Sequence, residues 1–228
     1  MHYTVVTLFP ALFAPFVDVG IVGRACARGI ISIETSNPRD FASLPHRTVD
    51  DTPYGGGAGM VLKPEPLHAA LCHSKKSHPH ARVIYPSPCG TPFRQSTAVR
   101  WSKERALIFL CGRYEGIDQR IIDLHVDEEV SLGDFILIGG EVAAMAMMEA
   151  CVRLLPGALG NRASAEQESI GADDSVALEA PVYTKPAVFE GHTVPDPLLS
   201  GNHQRIAAWR AEQSQVRTAR RFSSKGKP

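Results

Sequence analysis

The 228-residue sequence contains no apolar run that approaches the roughly 18 residues a membrane-crossing helix needs, so no membrane association is expected. It also lacks a basic leader with a cleavage site: Met1 to Phe9 alternates apolar and polar residues as a strand does, and export is not expected. Cysteine is sparse and unpatterned. Cys26, Cys72, Cys89, Cys111 and Cys151 are odd in number and form no Cys-x-x-Cys pair, which excludes a disulfide framework and fits reduced thiols in a cytoplasm. An excess of either charge is missing as well. Twenty-four basic residues balance 24 acidic ones, which argues against indiscriminate binding to nucleic acid. The glycine-dense segment Tyr54-Gly55-Gly56-Gly57-Ala58-Gly59-Met60 is neither closed by Gly-Lys-Ser/Thr nor spaced as Gly-x-Gly-x-x-Gly, so it reads as a mobile functional loop and not a nucleotide cradle. The run Cys72-His73, His78 and His80 has no spacing typical of zinc, and a polar loop between helix and strand accounts for it.

With 44% hydrophobic and 21% charged residues, the composition is that of a globular protein with one large domain, or a domain of about 150 residues plus a smaller one. The densest information lies between Leu107 and Glu141. Ala106 to Cys111 is a short apolar run of the kind that forms a buried strand, and it breaks at Gly112-Arg113-Tyr114-Glu115-Gly116-Ile117-Asp118. A second loop follows at Ser131-Leu132-Gly133-Asp134-Phe135-Ile136-Leu137-Ile138-Gly139-Gly140, leading into a helix from Glu141 to Leu155. Ordinary sharp turns would explain either loop. Two together, with Arg113, Glu115 and Asp134 embedded, point to a pocket walled mainly by main chain at the carboxyl ends of strands.

Around this centre, strands and helices alternate. Strands are expected at the N-terminus, at Ile30 to Thr35, Arg82 to Tyr85 and Ala106 to Cys111, with helices over Ala11 to Val17, Gly20 to Arg28, Pro64 to Lys75 and Arg94 to Glu104. This order predicts an α/β domain with a largely parallel sheet. Pro86-Ser87-Pro88 opens a third loop able to border the same pocket. Arg153, near the end of the Glu141 helix, reads either as an exposed charge complementing the helix dipole or, beside a ligand, as an anion stabiliser. Pro156 to Ala180 reads as a linker or lid. From Glu166 to Asp196 seven acidic residues face Lys185 alone, whereas from His203 onward seven Lys/Arg residues face Glu212 alone. The basic segment is a candidate phosphate-binding surface or a solvated helix face.

Several stretches together resemble the bacterial tRNA (guanine-N1)-methyltransferases, the TrmD family of the SPOUT superfamily. They are Asn37-Pro38-Arg39-Asp40, Thr48 to Asp51 with Pro53 to Gly57, Gly112 to Asp118, Ser131 to Asp134 with Gly139-Gly140-Glu141, and the helix holding Trp209-Arg210 and Gln213-Ser214. They span nearly the whole chain in order. The resemblance implies a trefoil-knotted methyltransferase domain over residues 1–160, a flexible linker or lid over 161–178, and a small helical tRNA-binding domain over 179–228. It further implies a cytoplasmic homodimer with active sites between subunits.

By the same resemblance, S-adenosylmethionine would lie among Tyr85, Pro86, Ser87 and Pro88, then Gly112 and Gly116, then Ser131, Leu132, Gly133, Asp134, Phe135, Ile136, Leu137, Gly139 and Gly140. The tRNA would be held by Glu115, Asp50, Arg113 and Ser164, with Glu115 reading guanosine 37, just 3′ of the anticodon. Guanine presents N–H donors that a carboxylate accepts. Arg153 would stabilise charge at O6, and Glu168 would be the general base where the family has an aspartate. Glutamate keeps the carboxylate and adds one methylene of reach. The chain also stops within six residues of Phe222, where family members commonly continue. The sequence carries no metal-ligand set and leaves Mg²⁺ assistance open. Competing expectations are an RNA-binding dimer without catalysis, a knotted enzyme acting at another RNA position or on ribose, and an unrelated small-molecule α/β enzyme.

Overall fold

The apolar run at 106–111 becomes the middle strand of a five-stranded sheet. In the computed structural model, which describes residues 1–159 and 169–223, the strands of the N-terminal unit are β1 (His2–Val6), β2 (Ser32–Ser36), β3 (Asp50–Asp51), β4 (Val61–Leu62), β5 (Arg82–Pro92), β6 (Ala106–Leu110) and β7 (Glu128–Ser131). The main sheet has the order β2-β1-β6-β5-β7, and every pairing in it is parallel. The helices of this unit are α1 (Ala14–Asp18), α2 (Gly20–Ala27), α3 (Pro64–Ser77), α4 (Gln95–Trp101), α5 (Gln119–His125) and α6 (Glu141–Val152). The chain divides into two compact units, Met1–Arg162 and Ala163–Pro228.

Alternation along each strand sorts the core into two layers. Tyr3, Val5, Ile84, Leu107 and Phe109 face the cluster that holds Val22 and Ala25 of α2, Trp101 of α4, and Ala144, Met147, Met148 and Cys151 of α6. Val6, Val83, Tyr85, Ile108 and Leu110 face the opposite cluster with Leu67, Ala70 and Leu71 of α3 and Ile121 of α5. Both faces of the sheet are therefore covered, which is why β6 is apolar at every position and all five of its residues are buried. Helix α3 opens with Pro64 at its first turn and buries Leu67, Ala70, Leu71 and Ser74, the spacing of a single apolar stripe.

Some boundaries differ from those expected. The first helical region is not continuous: a 3-10 turn at Pro10–Leu12 precedes α1, and an 83° bend separates Pro10–Asp18 from Gly20–Ala27, with Val19 extended between them. Strand β2 begins at Ser32 because the Ile30 amide is used to close α2, donating to the Ala25 carbonyl at 2.9 Å. Helix α3, expected over Pro64 to Lys75, runs on to Ser77, with Ser74 meeting the core and donating to the Ala70 carbonyl, so the polar loop begins only at His78. Strand β5 does not stop at Tyr85. Its pairing with β7 is interrupted at Pro86 and resumes at Thr91, so residues 87–90 bulge out and the strand rejoins the sheet. Gly90 permits this return, because a Cβ there would collide with the β7 backbone at Glu129 and Val130. Among the described residues no single helix is long and apolar enough to cross a membrane.

The C-terminal unit contains a hairpin of β8 (Val188–Phe189) and β9 (His192–Thr193), a short helix α7 (Asp196–Leu199) and the long helix α8 (His203–Ser223). Glu190 and Gly191 both adopt positive φ at the hairpin turn, the conformation that joins two twisted antiparallel strands most tightly. The Asn202 side chain caps α8 by accepting from the amides of Gln204 and Arg205. Leu178 and Glu179 are tied to α8 through Thr218 and Arg217. A broad hollow of about 990 Å³ in this unit is lined mostly by small and apolar side chains, with Arg210 on its wall.

Trp101 is fully buried, stands edge-on to Phe109 at 6.0 Å, and donates from its indole to Glu128 at 3.2 Å. Trp101→Ala is expected to lower unfolding free energy by about 3–5 kcal/mol, read as a shifted urea midpoint.

Candidate active site

The three glycine- and proline-bearing segments converge because β6, β5 and β7 are neighbours: two follow the ends of β6 and β7, and the third is the bulge of β5 beside the end of β7. Between them lies a cavity of about 330 Å³, within the range of small-molecule sites. Its walls include Tyr85, Pro86, Ser87 and Pro88 from β5; Gly112, Arg113, Glu115 and Gly116 after β6; and Ser131, Leu132, Gly133, Phe135, Ile136, Leu137, Gly139 and Gly140 after β7. Tyr114, Ile138 and Ala143 line it too. Asp134 is exposed and does not line it.

Main chain forms much of this wall. Gly116 has φ +131°, a conformation side chains rarely adopt. Gly140 approaches Cys111 so closely that an added Cβ would lie 3.0 Å from the Cys111 Cα, and its amide donates to the Gly112 carbonyl at 3.0 Å. The Ser131 hydroxyl folds its own loop back, bonding both the amide and the carbonyl of Gly133.

One charged pair fixes the floor. Glu141, the first residue of α6, is 1% exposed and accepts from the Thr7 hydroxyl at 2.9 Å, while Arg113 Nε lies 2.9 Å from its other carboxylate oxygen. The Arg113–Glu141 contact is an ion pair without hydrogen-bond alignment. The Arg113 guanidinium also covers the Phe9 ring at 4.4 Å. Arg113 thus lines the pocket with part of its charge already engaged.

The glycine-dense segment is joined to the same region. Glu115 donates its amide to the Met60 carbonyl, Leu62 to the Gly116 carbonyl, and Asp118 to the Leu62 carbonyl. Gly59, at φ +83°, lies against the Glu115 carboxylate, and a Cβ there would overlap it. The segment therefore edges the pocket beside Glu115, and Tyr54 at its tip is fully exposed. Asp50 pairs with Leu62 in the short β3–β4 ladder behind this loop.

Arg153 is not brought to the cavity. It follows the last turn of α6, whereas the pocket touches the first, and twelve residues of helix span ~18 Å. Glu168 and Ser164 lie outside the described residues.

A parallel α/β domain with a main-chain-walled pocket at its carboxyl edge is a ligand-binding class of fold. Within that class the chain belongs to the tRNA (guanine-1)-methyltransferase TrmD family, whose model matches residues 1–224. It is 55% identical to the tRNA (guanine-N(1)-)-methyltransferase of Desulfitobacterium hafniense, over 96% of this chain and 81% of that protein. The like-named proteins of Photobacterium profundum, at 48% identity over 96% of this chain and 87% of the relative, and Sorangium cellulosum, at 47% over 97% and 91%, are similarly related.

Burial, aided by Glu129 and then Cys89, pushes the Tyr85 hydroxyl up from 10.0 to about 12. Because the folded value exceeds the unfolded one, the associated stability is complete below pH 10 and is lost as pH rises towards 12. Subtracting the phenolate absorbance titration of Tyr85→Phe from that of the parent protein should leave a transition near pH 12; one near pH 10 would contradict the assigned burial.

Proposed function

We propose that this protein transfers a methyl group from S-adenosylmethionine to N1 of guanosine 37 in tRNA, acting as a cytoplasmic homodimer with a knotted catalytic domain. The observation that carries the reading is the cavity walled by Gly112, Gly116, Ser131, Gly133, Gly139 and Gly140 with Glu115 at its rim. Its chemistry fits the donor: backbone groups and the Tyr85 ring suit a nucleoside, and the apolar side chains of Leu132, Phe135 and Ile136 suit the adenine and methylene portions. When bound, the donor supplies an electrophilic methyl group on a sulfonium sulfur.

The chain's own residues supply recognition and proton handling. Glu115 accepts hydrogen bonds from the Watson–Crick edge of guanine, which adenine cannot offer in the same pattern. N1 of guanine carries a proton that must leave as its lone pair takes the methyl group. Glu168 receives that proton, and a carboxylate shielded from water has its pKa raised towards the useful range. Negative charge then spreads to O6, where a guanidinium stabilises it. The distance between Arg153 and the pocket of its own chain favours a site in which Arg153 of the partner subunit performs this role. The arginine-bearing helix α8, with Arg205, Arg210, Arg217, Arg220 and Arg221, offers the phosphate-binding surface.

Labelled methyl transfer to two transcripts of one tRNA, carrying G or A at position 37, tests the activity. The G transcript alone should yield 1-methylguanosine, and binding without transfer to either would overturn the catalytic reading. A mixture of Glu115→Ala and Arg153→Ala chains tests the shared site. Each variant alone should be nearly inactive, and their reassorted dimers should recover about a quarter of the activity, because half are mixed and each mixed dimer holds one intact site. No recovery would place both residues in the site of one chain.

A further inference from the structure

We propose that His68, Cys72 and His125 form a binding site for a soft divalent transition ion such as Zn²⁺, clamping α3 to α5. His68 and Cys72 are four residues apart on α3, so they project from one face, and His125 is the last residue of the packed helix α5. One ligand atom from each of the three lies within 4.8 Å of the others. His68 Nδ1 is 2.8 Å from His125 Nε2, and Cys72 Sγ is 3.6 Å from His68 Nε2.

These separations are close to those a metal imposes. With Zn–N near 2.0–2.1 Å and Zn–S near 2.3 Å, tetrahedral angles put two bound nitrogens about 3.3 Å apart and a nitrogen and sulfur about 3.6 Å apart. His68 now turns one nitrogen to each neighbour. Rotating its ring about χ2, a soft torsion for an exposed imidazole, points one nitrogen at the space shared by all three, and the two imidazoles part by about half an ångström. The donor set, two imidazoles and a thiolate without a carboxylate, selects Zn²⁺, Co²⁺ or Cu⁺ over Mg²⁺ or Ca²⁺. His68 and Cys72 are exposed, so an ion enters from solvent and water completes the fourth position. Lys75 lies near His125 and opposes the ion's charge, which the thiolate offsets.

The position gives the site a purpose. Helix α3 follows β4, and α5 follows Asp118, so the two helices extend the very segments that bond at Leu62, Gly116 and Asp118 beside the pocket. An ion joining their faces ties the glycine-dense segment to the Glu115 loop from behind. This inference is independent of which nucleoside the pocket takes.

Untagged full-length protein, stripped with chelator and titrated with Co²⁺ alone, provides the test. Expected are the intense visible bands of tetrahedral cobalt and a thiolate-to-cobalt charge-transfer band, saturating at one equivalent per chain and displaced by Zn²⁺. Cys72→Ser should lose the charge-transfer band, and His125→Ala should weaken binding by at least about tenfold, as losing one metal ligand does. Cys89→Ser, the control for the other exposed thiol, should change neither. Zn²⁺ should raise the melting temperature of the parent by a few degrees and leave Cys72→Ser unmoved. Weak octahedral spectra without charge transfer, or a band that survives Cys72→Ser, would overturn the assignment.

Discussion

The carboxylate of Glu141 is the constraint around which the N-terminal unit is arranged. It begins α6, where the helix dipole favours negative charge, and it is almost wholly buried. Its two oxygens reach Thr7, just beyond the end of β1, and Arg113, just beyond the end of β6. Three separate segments are thereby referred to one point. A charge this deep is tolerated only with partners, and deleting one partner of such a pair typically costs about 3–5 kcal/mol, towards the lower end here because Arg113 keeps 19% exposure. The contact explains how loops rich in glycine, which are individually pliable, present a defined wall.

The wall itself follows from parallel-sheet geometry. The loops after β6 and β7 meet the bulge of β5 because the strands are adjacent in the sheet, though not in that order in the chain. Glycine at 112, 116 and 140 removes side chains where the loop meets Tyr85 or Cys111, so much of the wall there is main chain. Three of the side chains that line it, Tyr85, Arg113 and Glu115, are each held by a second contact: burial, an ion pair, or the neighbouring Gly59.

Much of this was legible in the sequence because it rests on local signals. The strand at 106, the loops after 111 and 131, the Pro64 helix and the α8 helix all announce themselves through apolar period and glycine or proline punctuation. The convergence of the loops required only that the strands be parallel neighbours. What escaped depends on distance along the chain. Thr7 and Glu141 are 134 residues apart, and nothing in either neighbourhood advertises the other. His125 stands 57 residues beyond His68, so a search for metal-like spacing within one stretch could not bring the two together. The continuation of β5 past two prolines was missed since proline normally ends pairing, and here the sheet resumes only after a four-residue detour. Arg153 was identifiable as a charge at a helix end, but its separation from the pocket is a three-dimensional fact.

Helix α6 is a rigid rod whose first turn forms part of the pocket floor and whose far end is capped by Arg153, with Ala144, Met147, Met148 and Cys151 as its bearing on the sheet. Over ~18 Å a tilt of only about 5° carries the far end through about 1.5 Å. Displacements near 1 Å are enough to cost catalysis about a hundredfold. The methionine packing beneath this rod therefore acts as the fulcrum of a lever, and the alignment of the pocket floor with Arg153 is set there.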